Sequence, residues 1–312
     1  MSSNSIDARA GELRARRSPF VLAVVVRAER PTSAKPGDRA IVLPDGTIEG
    51  FVGGSCAEST VRVQSVRQLA SGTSTLLRIT PGGDRAGRSS VPGLVVVDNE
   101  CLSGGTIEVF LEAVMPPPLI QVYGDTPIAR ALVTVGSAAG YEVRLAARSA
   151  AVVADALGVV VASHGHGEEE ILSAAVAAGV PYIALVASPK RGAAVLGDAR
   201  VTPDRVKTPA GLDLGARTPG DVAVSILAEV VAARAGAASQ PPPEEERPPP
   251  QELLQIGLGA PAAPRIAIDP VCHMEVVVSP DALQLEHDGR TWYFCAPGCR
   301  KAFAAEPARY GA

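Results

Sequence analysis

Cys272, Cys295 and Cys299 are three of the chain's five cysteines, and all fall within Ile268–Tyr310. Cys295 and Cys299 are four residues apart. A helix opening near Gly298 puts both on its first turn, and a preceding hairpin supplies Cys272. Three thiolates suit a soft cation such as Cu(I) or Zn(II). His273 adds an imidazole beside Cys272 that either joins the ligand set or points away. A piece of about fifty residues is close to the smallest that a hydrophobic core alone can hold together. A metal there serves as staple or as cargo, and the open alternative is that the thiols only pack.

A second group is Gly53-Gly54-Ser55-Cys56-Ala57-Glu58. It stands between a strand, Thr47–Val52, and a helical pattern, Ser59–Ala70, with Val61, Val66 and Leu69 at roughly helical spacing. Free amides and the dipole at a helix start favour an anion and lower a thiol's pKa. Cys56 is therefore a candidate reactive thiolate, and Cys56 and Glu58 are the candidate catalytic residues; the alternative for Cys56 is a buried inert cysteine in a tight turn.

A third group lies at predicted strand ends in the middle of the chain. Gly124-Asp125-Thr126-Pro127 follows an apolar strand, Leu119–Tyr123, and precedes an Ala-rich helix, Ile128–Ala139. The turn keeps only the first glycine of the dinucleotide fingerprint, and Asp125 opposes a pyrophosphate. The next strand, Tyr141–Ala146, ends in Ala147-Arg148 where an NAD site carries an acid, so NAD(P) is disfavoured as a cofactor. Arg148 either meets a phosphate or is a solvated charge. The strand Leu157–Ala162 ends at Ser163-His164-Gly165-His166, followed by Glu168–Glu170. His164 and His166 are candidates for a polar ligand or an acid–base step, and the glutamates suit a helix start. Lys190 and Arg191 follow the strand Tyr182–Val186 and are candidate phosphate holders.

The elements that must position these groups read as an α/β protein. Hydrophobic content is 46% while aromatics are only 4%, so Ala and Val carry the apolar weight, as in Val-rich strands and Ala-rich helices. Net charge is −4 with a pI near 5.7, which offers no bulk attraction to nucleic acid or an anionic membrane. The odd number of cysteines, with only Cys295 and Cys299 close together, argues against a disulfide framework and for a reducing cytoplasm. Residues 1–18 are polar and without an apolar core segment, and read as a flexible lead-in. No apolar run is long enough to span a bilayer. Phe20–Val26, Arg39–Leu43 and Thr47–Val52 begin a mixed α/β domain over 19–116, with a turn at Asp45-Gly46. Alternating strands and helices make 117–236 a Rossmann-like parallel-sheet domain. Residues 237–264, with Pro241–Pro243 and Pro248–Pro250 around Glu244–Glu246, read as a linker. Residues 265–312 form a small Cys-rich α+β module, expected to fold by itself behind that linker, with a hairpin turn at Asp288-Gly289. Its core draws on Trp292, Tyr293, Phe294, Phe303 and Tyr310.

Two resemblances follow from these residues. Lys35–Ala40, Asp45-Gly46 and Gly50–Glu58 resemble the N-terminal domain of the XdhC/CoxI family, whose usual Gly-Gly-Cys-hydrophobic-Glu appears here with Ser55 inserted before Cys56. Ser163–Glu169, Val186–Arg191 and Thr208–Glu229 resemble that family's Rossmann-like C-terminal domain. Asp269–Met274, Tyr293–Cys299 and Phe303–Tyr310 resemble the YHS domain, with His273 where the family pattern has glycine. The resemblance implies an accessory, chaperone-like protein rather than a catalyst, for a molybdenum hydroxylase of the xanthine dehydrogenase or carbon monoxide dehydrogenase type. It implies binding and delivery of the molybdenum cofactor, with Gly53, Gly54, Gly124, Arg148, His164, His166, Lys190 and Arg191 as the places to hold it and Zn or Cu at the tail. The implied partners are the apo-hydroxylase and a cysteine desulfurase, with a homodimer as an open possibility. The alternatives are an NAD(P)-dependent oxidoreductase built on 117–236, and a metal-trafficking or sensing protein acting through its tail.

Overall fold

The computed structural model describes residues 3–81, 91–99, 105–163, 165, 167–199, 201–238 and 264–310. Cys101, His164 and His166 lie outside them, as do most of the 81–88 stretch and the linker. The chain divides into two compact units: 1–116 with 260–312, and 117–259.

The first unit opens with a helix, α1 (Ser3–Ala15), where the polar composition suggests a flexible lead-in. Its apolar residues are few but spaced i, i+4, i+7: Ile6, Ala10 and Leu13 are all buried, against Phe20, Leu22 and Ile41. The residues behind this stripe are polar because they face water. Arg9 adds a two-pronged bond to Glu49 at 2.9 and 3.0 Å.

The sheet is built from β1 (Phe20–Ala28), β2 (Arg39–Val42), β3 (Ile48–Gly50), β4 (Thr75–Pro81), β5 (Leu94–Asn99) and β6 (Ile107–Val114). Its order is β3-β2-β1-β6-β4-β5, antiparallel except for the β4–β5 pair. Period-two alternation splits β1 between two cores. Phe20 and Leu22 face α1, while Val21, Ala23 and Val25 face α2 (Ser55–Ser71) through Val61 and Leu69.

The C-terminal module contains β11 (Ile266–Ile268), β12 (Glu275–Val277), β13 (Leu283–His287), β14 (Arg290–Phe294), α7 (Pro297–Ala305) and α8 (Pro307–Tyr310). Asp288 and Gly289 both have positive φ, 51° and 73°. A two-residue turn of the primed type matches the twist of the β13–β14 ribbon. Phe303 of α7 is fully buried, its ring 5.2 Å from Trp292 and 5.4 Å from Phe294. The module does not stand apart from the N-terminal domain. It rests on the outer face of α2, where Val277 is buried between Val63 and Val66.

The second unit is a parallel sheet of β7 (Leu119–Tyr123), β8 (Glu142–Ala146), β9 (Ala156–Val161) and β10 (Tyr182–Leu185), in the order β10-β9-β7-β8. Helices α3 (Pro127–Ala138) and α6 (Pro219–Ala238) cover one face, through Leu132, Ile226 and Val230. Helices α4 (Glu168–Ala177) and α5 (Pro189–Ala199) cover the other, through Leu172 and Leu196. The strand order reverses between β7 and β9, and the crevice beyond such a reversal is where open α/β sheets bind ligands. Among the described residues no helix is long and apolar enough to cross a membrane.

Candidate functional site

The tail's sulfur cluster is built around Asp269, which is fully buried. Its Oδ1 accepts from the Val271 N–H at 2.9 Å, an Asx turn that starts the loop to Cys272. Its Oδ2 accepts from the Cys295 N–H at 2.8 Å, clamping that loop to the end of β14. The result brings Cys272 Sγ to 3.3 Å from Cys295 Sγ, and Cys295 Sγ to 3.8 Å from Cys299 Sγ, the latter across the first turn of α7. One oxygen of Asp269 and the three sulfurs all lie within 4.8 Å of one another. A tetrahedral ion with metal–sulfur bonds of about 2.3 Å spans sulfur pairs about 3.8 Å apart, so the spacing and the soft donors fit such an ion.

The thiols respond unequally to this crowding. The Cys295 hydrogen bond holds the Cys272 thiol below its ordinary pKa. The Cys295 thiol goes strongly up, first because it donates to Cys272, then because it faces Cys56, and then through burial. Burial, followed by the Asp269 and Cys272 charges, pushes Cys299 up to about 12. A cation bound here would have to displace the protons of these thiols.

His273 is not in this group. Its φ is +60°, the left-handed region that glycine occupies without penalty. The tight loop that Asp269 imposes demands that backbone, and the histidine adopts it. Asp269 itself carries a signal legible in the sequence, because Asp-Pro is a turn starter two residues ahead of the turn's N–H donor.

Cys56 arrives from the other side. Helix α2 begins at Ser55 rather than Ser59, so Cys56 lies inside its first turn, after Gly54 as N-cap. Gly53 has a φ of +137°, and a Cβ there would sit 3.1 Å from that of Ala57, so the close entry into the helix needs glycine. The Cys56 side chain packs against the buried set of Val276, Cys295 and Ala296, as do Cys272, Met274 and Cys299. Glu58 is turned away to an ion pair. Its Oε1 accepts from Arg62 at 3.2 Å, and Arg62 also donates to Ser279 at 2.9 Å and reaches Asp281 at 3.3 Å.

At the strand ends of the second unit, Gly124 lies against the backbone after β9. A Cβ there would come within 2.2 Å of the Ala162 carbonyl oxygen. Asp125 is engaged by Arg130, 2.7 and 3.0 Å away, which lowers its pKa. The Glu168 side chain is only 1% exposed. Its Oε1 accepts from the Ser163 hydroxyl at 3.1 Å and the Gly165 N–H at 2.9 Å, and its Oε2 accepts from Arg191 at 2.5 Å. Burial alone raises the carboxyl's pKa, but Arg191, Gly165 and Ser163 together outweigh it and the net shift is downward. Arg191 is therefore the partner of a buried carboxylate, a pairing between residues too far apart in sequence for spacing to reveal. Lys190 is exposed, and so is Arg148, whose stem crosses Gly167: a Cβ there would meet Arg148 Cδ at 2.6 Å. The structure thus gathers Gly124, Arg148, Glu168 and Arg191 along the carboxyl edge of one sheet. Gly53 and Gly54 belong to the first unit.

Three family patterns match the chain in order: the XdhC and CoxI family over 13–80, the XdhC Rossmann domain over 120–230, and the YHS domain over 267–312. The uncharacterized protein YqeB of Escherichia coli (strain K12) is 23% identical over 261 residues, which are 74% of this chain and 46% of that protein. The chain thus spans under half the length of that relative. A chain from Bacillus halodurans described as a xanthine dehydrogenase is 18% identical and superposes with a TM-score of 0.36, covering 76% of this chain and 97% of its own.

Proposed function

We propose that this chain, which belongs to the XdhC and CoxI family and ends in a YHS domain, is an accessory protein in the maturation of a molybdenum hydroxylase, to which it delivers the molybdenum cofactor. The observation that carries the reading is the presence of both XdhC domains, in order, in one chain. The cofactor supplies a molybdenum centre on a phosphate-bearing pterin. A departed dinucleotide fingerprint at Gly124, with exposed cations at Arg148 and Lys190, fits a single phosphate better than a pyrophosphate. Arg148 and Lys190 hold the phosphate, while Arg191 is tied to Glu168, which also accepts from Ser163. In the same reading the tail holds a soft cation, zinc or copper, through Cys272, Cys295 and Cys299, whose sulfur spacing supports it. The partner is the apo-hydroxylase.

The test is anaerobic purification from a cofactor-producing host, with molybdenum and pterin quantified, then transfer to an apo-hydroxylase. Retained cofactor that activates the apo-enzyme, and that falls at least tenfold in an Arg148→Ala, Lys190→Ala double variant, supports the reading. Protein that neither retains nor transfers the cofactor overturns it.

A further inference from the structure

We propose that Cys56 of α2 is the fourth ligand of the tail's metal site, so that one thiophilic cation of the Zn(II) class is held jointly by the N-terminal domain and the C-terminal module. This rests on the reading of the tail as a soft-metal module, and adds a ligand from another domain.

The first support is the face of α2 that the tail covers. Ser59 donates to the Glu275 carbonyl at 3.4 Å, Arg62 to Ser279, and Arg67 to the Glu275 carboxylate at 2.6 Å. Val63 and Val66 bury Val277. Positions 59, 62, 63, 66 and 67 are one helical stripe, i, i+3, i+4, i+7 and i+8. Cys56 extends that stripe by one turn, i−3, toward the helix start. The Asp45-Gly46 turn closes the other side, because a Cβ at Gly46 would lie 2.6 Å from Val277 Cγ1. The seating that holds β12 on α2 therefore also aims Cys56 at the sulfurs.

The second support is the donor count. The three tail sulfurs leave a tetrahedral zinc one ligand short, and structural zinc sites are closed by four. Asp269 is near enough, but both of its oxygens already accept backbone N–H bonds that hold the cluster together. Cys56 meets Cys295 and packs against the same buried set, Val276, Cys295 and Ala296, that Cys272 and Cys299 pack against. The Cys56 sulfur is not among the ligand atoms that lie within 4.8 Å of one another, so the proposed binding draws it in toward them. A sulfur is also a softer donor than a carboxylate oxygen. With four sulfurs bound, the ion fastens the tail over the Gly53-Gly54 turn and covers Cys56.

The experiment uses the full-length protein, stripped of metal and titrated anaerobically with Co(II), whose sulfur-to-metal charge-transfer band scales with the number of thiolates. Wild type is expected to show a tetrahedral four-thiolate spectrum. Cys56→Ala and Cys56→Ser should drop to three thiolates. They should bind Zn(II) at least tenfold more weakly in competition, since even outer-shell changes cost about 10–100-fold. As a second readout, Zn(II) should protect Cys56 of the wild type from alkylation, followed by mass spectrometry. If both variants keep the wild-type spectrum and affinity while Cys299→Ala loses them, or if Zn(II) leaves Cys56 alkylation unchanged, the shared site is wrong and the tail alone binds metal. If wild type takes up no Co(II), the metal reading of the tail falls as well.

Discussion

Replacing Arg191 with alanine asks whether this cation belongs to the fold or to a ligand. Glu168 is 1% exposed and, among the described residues, keeps Ser163 and Gly165 as donors once the guanidinium is gone. Breaking a buried ion pair by removing one partner costs about 3–5 kcal/mol. Arg191 is itself 36% exposed, so water reaches the vacated place, and the expected cost falls to about 2 kcal/mol. That corresponds to about 30-fold faster amide exchange in β9 and α4, read by mass spectrometry on peptides covering 156–177. Exchange is the suitable assay because a chain of two units need not unfold in one step. The sign of the pH dependence follows from Glu168. Its folded pKa is depressed, so its stabilisation is present above the unfolded carboxyl pKa of about 4.3 and is lost as pH falls through the folded value. The gap between wild type and Arg191→Ala should be full at pH 7 and narrow steadily below about pH 4. Adding Glu168→Gln should recover part of the loss at pH 7, since no charge is then left buried. A gap under threefold at pH 7, or one that does not change with pH, refutes the structural role given to Arg191.

Two further substitutions test the first unit. His273→Gly should protect the module by about 0.5–1 kcal/mol, because φ +60° is free for glycine and costs other residues about 1 kcal/mol; weaker Zn(II) binding in this variant would instead put the imidazole in the ligand set. Val66→Asp sets a charge against the buried Val277, which should lift the tail from α2 while leaving the sheet below intact, so metal-free Cys56 should be alkylated at least tenfold faster. An unchanged alkylation rate would mean that the α2 stripe does not hold the tail in place.

Helix α2 shows where reading along the chain succeeds and where it fails. Val61, Val66 and Leu69 fall at helical spacing and announce a helix, but not that it is covered on two sides. Val61 and Leu69 face the sheet, whereas Val66 faces Val277. Ser59, Gln64 and Gln68 are buried as well, and no apolar pattern marks them. A helix packed on two faces loses the one-sided stripe that periodicity detects. The lead-in fails for the opposite reason. Three well-placed apolar residues suffice for α1, and averaged polarity hides them.

The residue types that suggest each chemistry are local, and reading neighbours along the chain is enough to single them out. Three cysteines in one short stretch, a helix start after Gly53-Gly54, and a βα turn without its fingerprint are all properties of neighbours in the chain. The partnerships are not local. Arg191 meets Glu168, and Cys56 meets Cys295, across stretches over which side-chain periodicity carries no phase. Those meetings follow from how β9 and β10 order themselves in one sheet and from which face of α2 was left for the tail. Packing of surfaces made those choices, so the residues could name the chemistry while only the folded chain could say which of them share it.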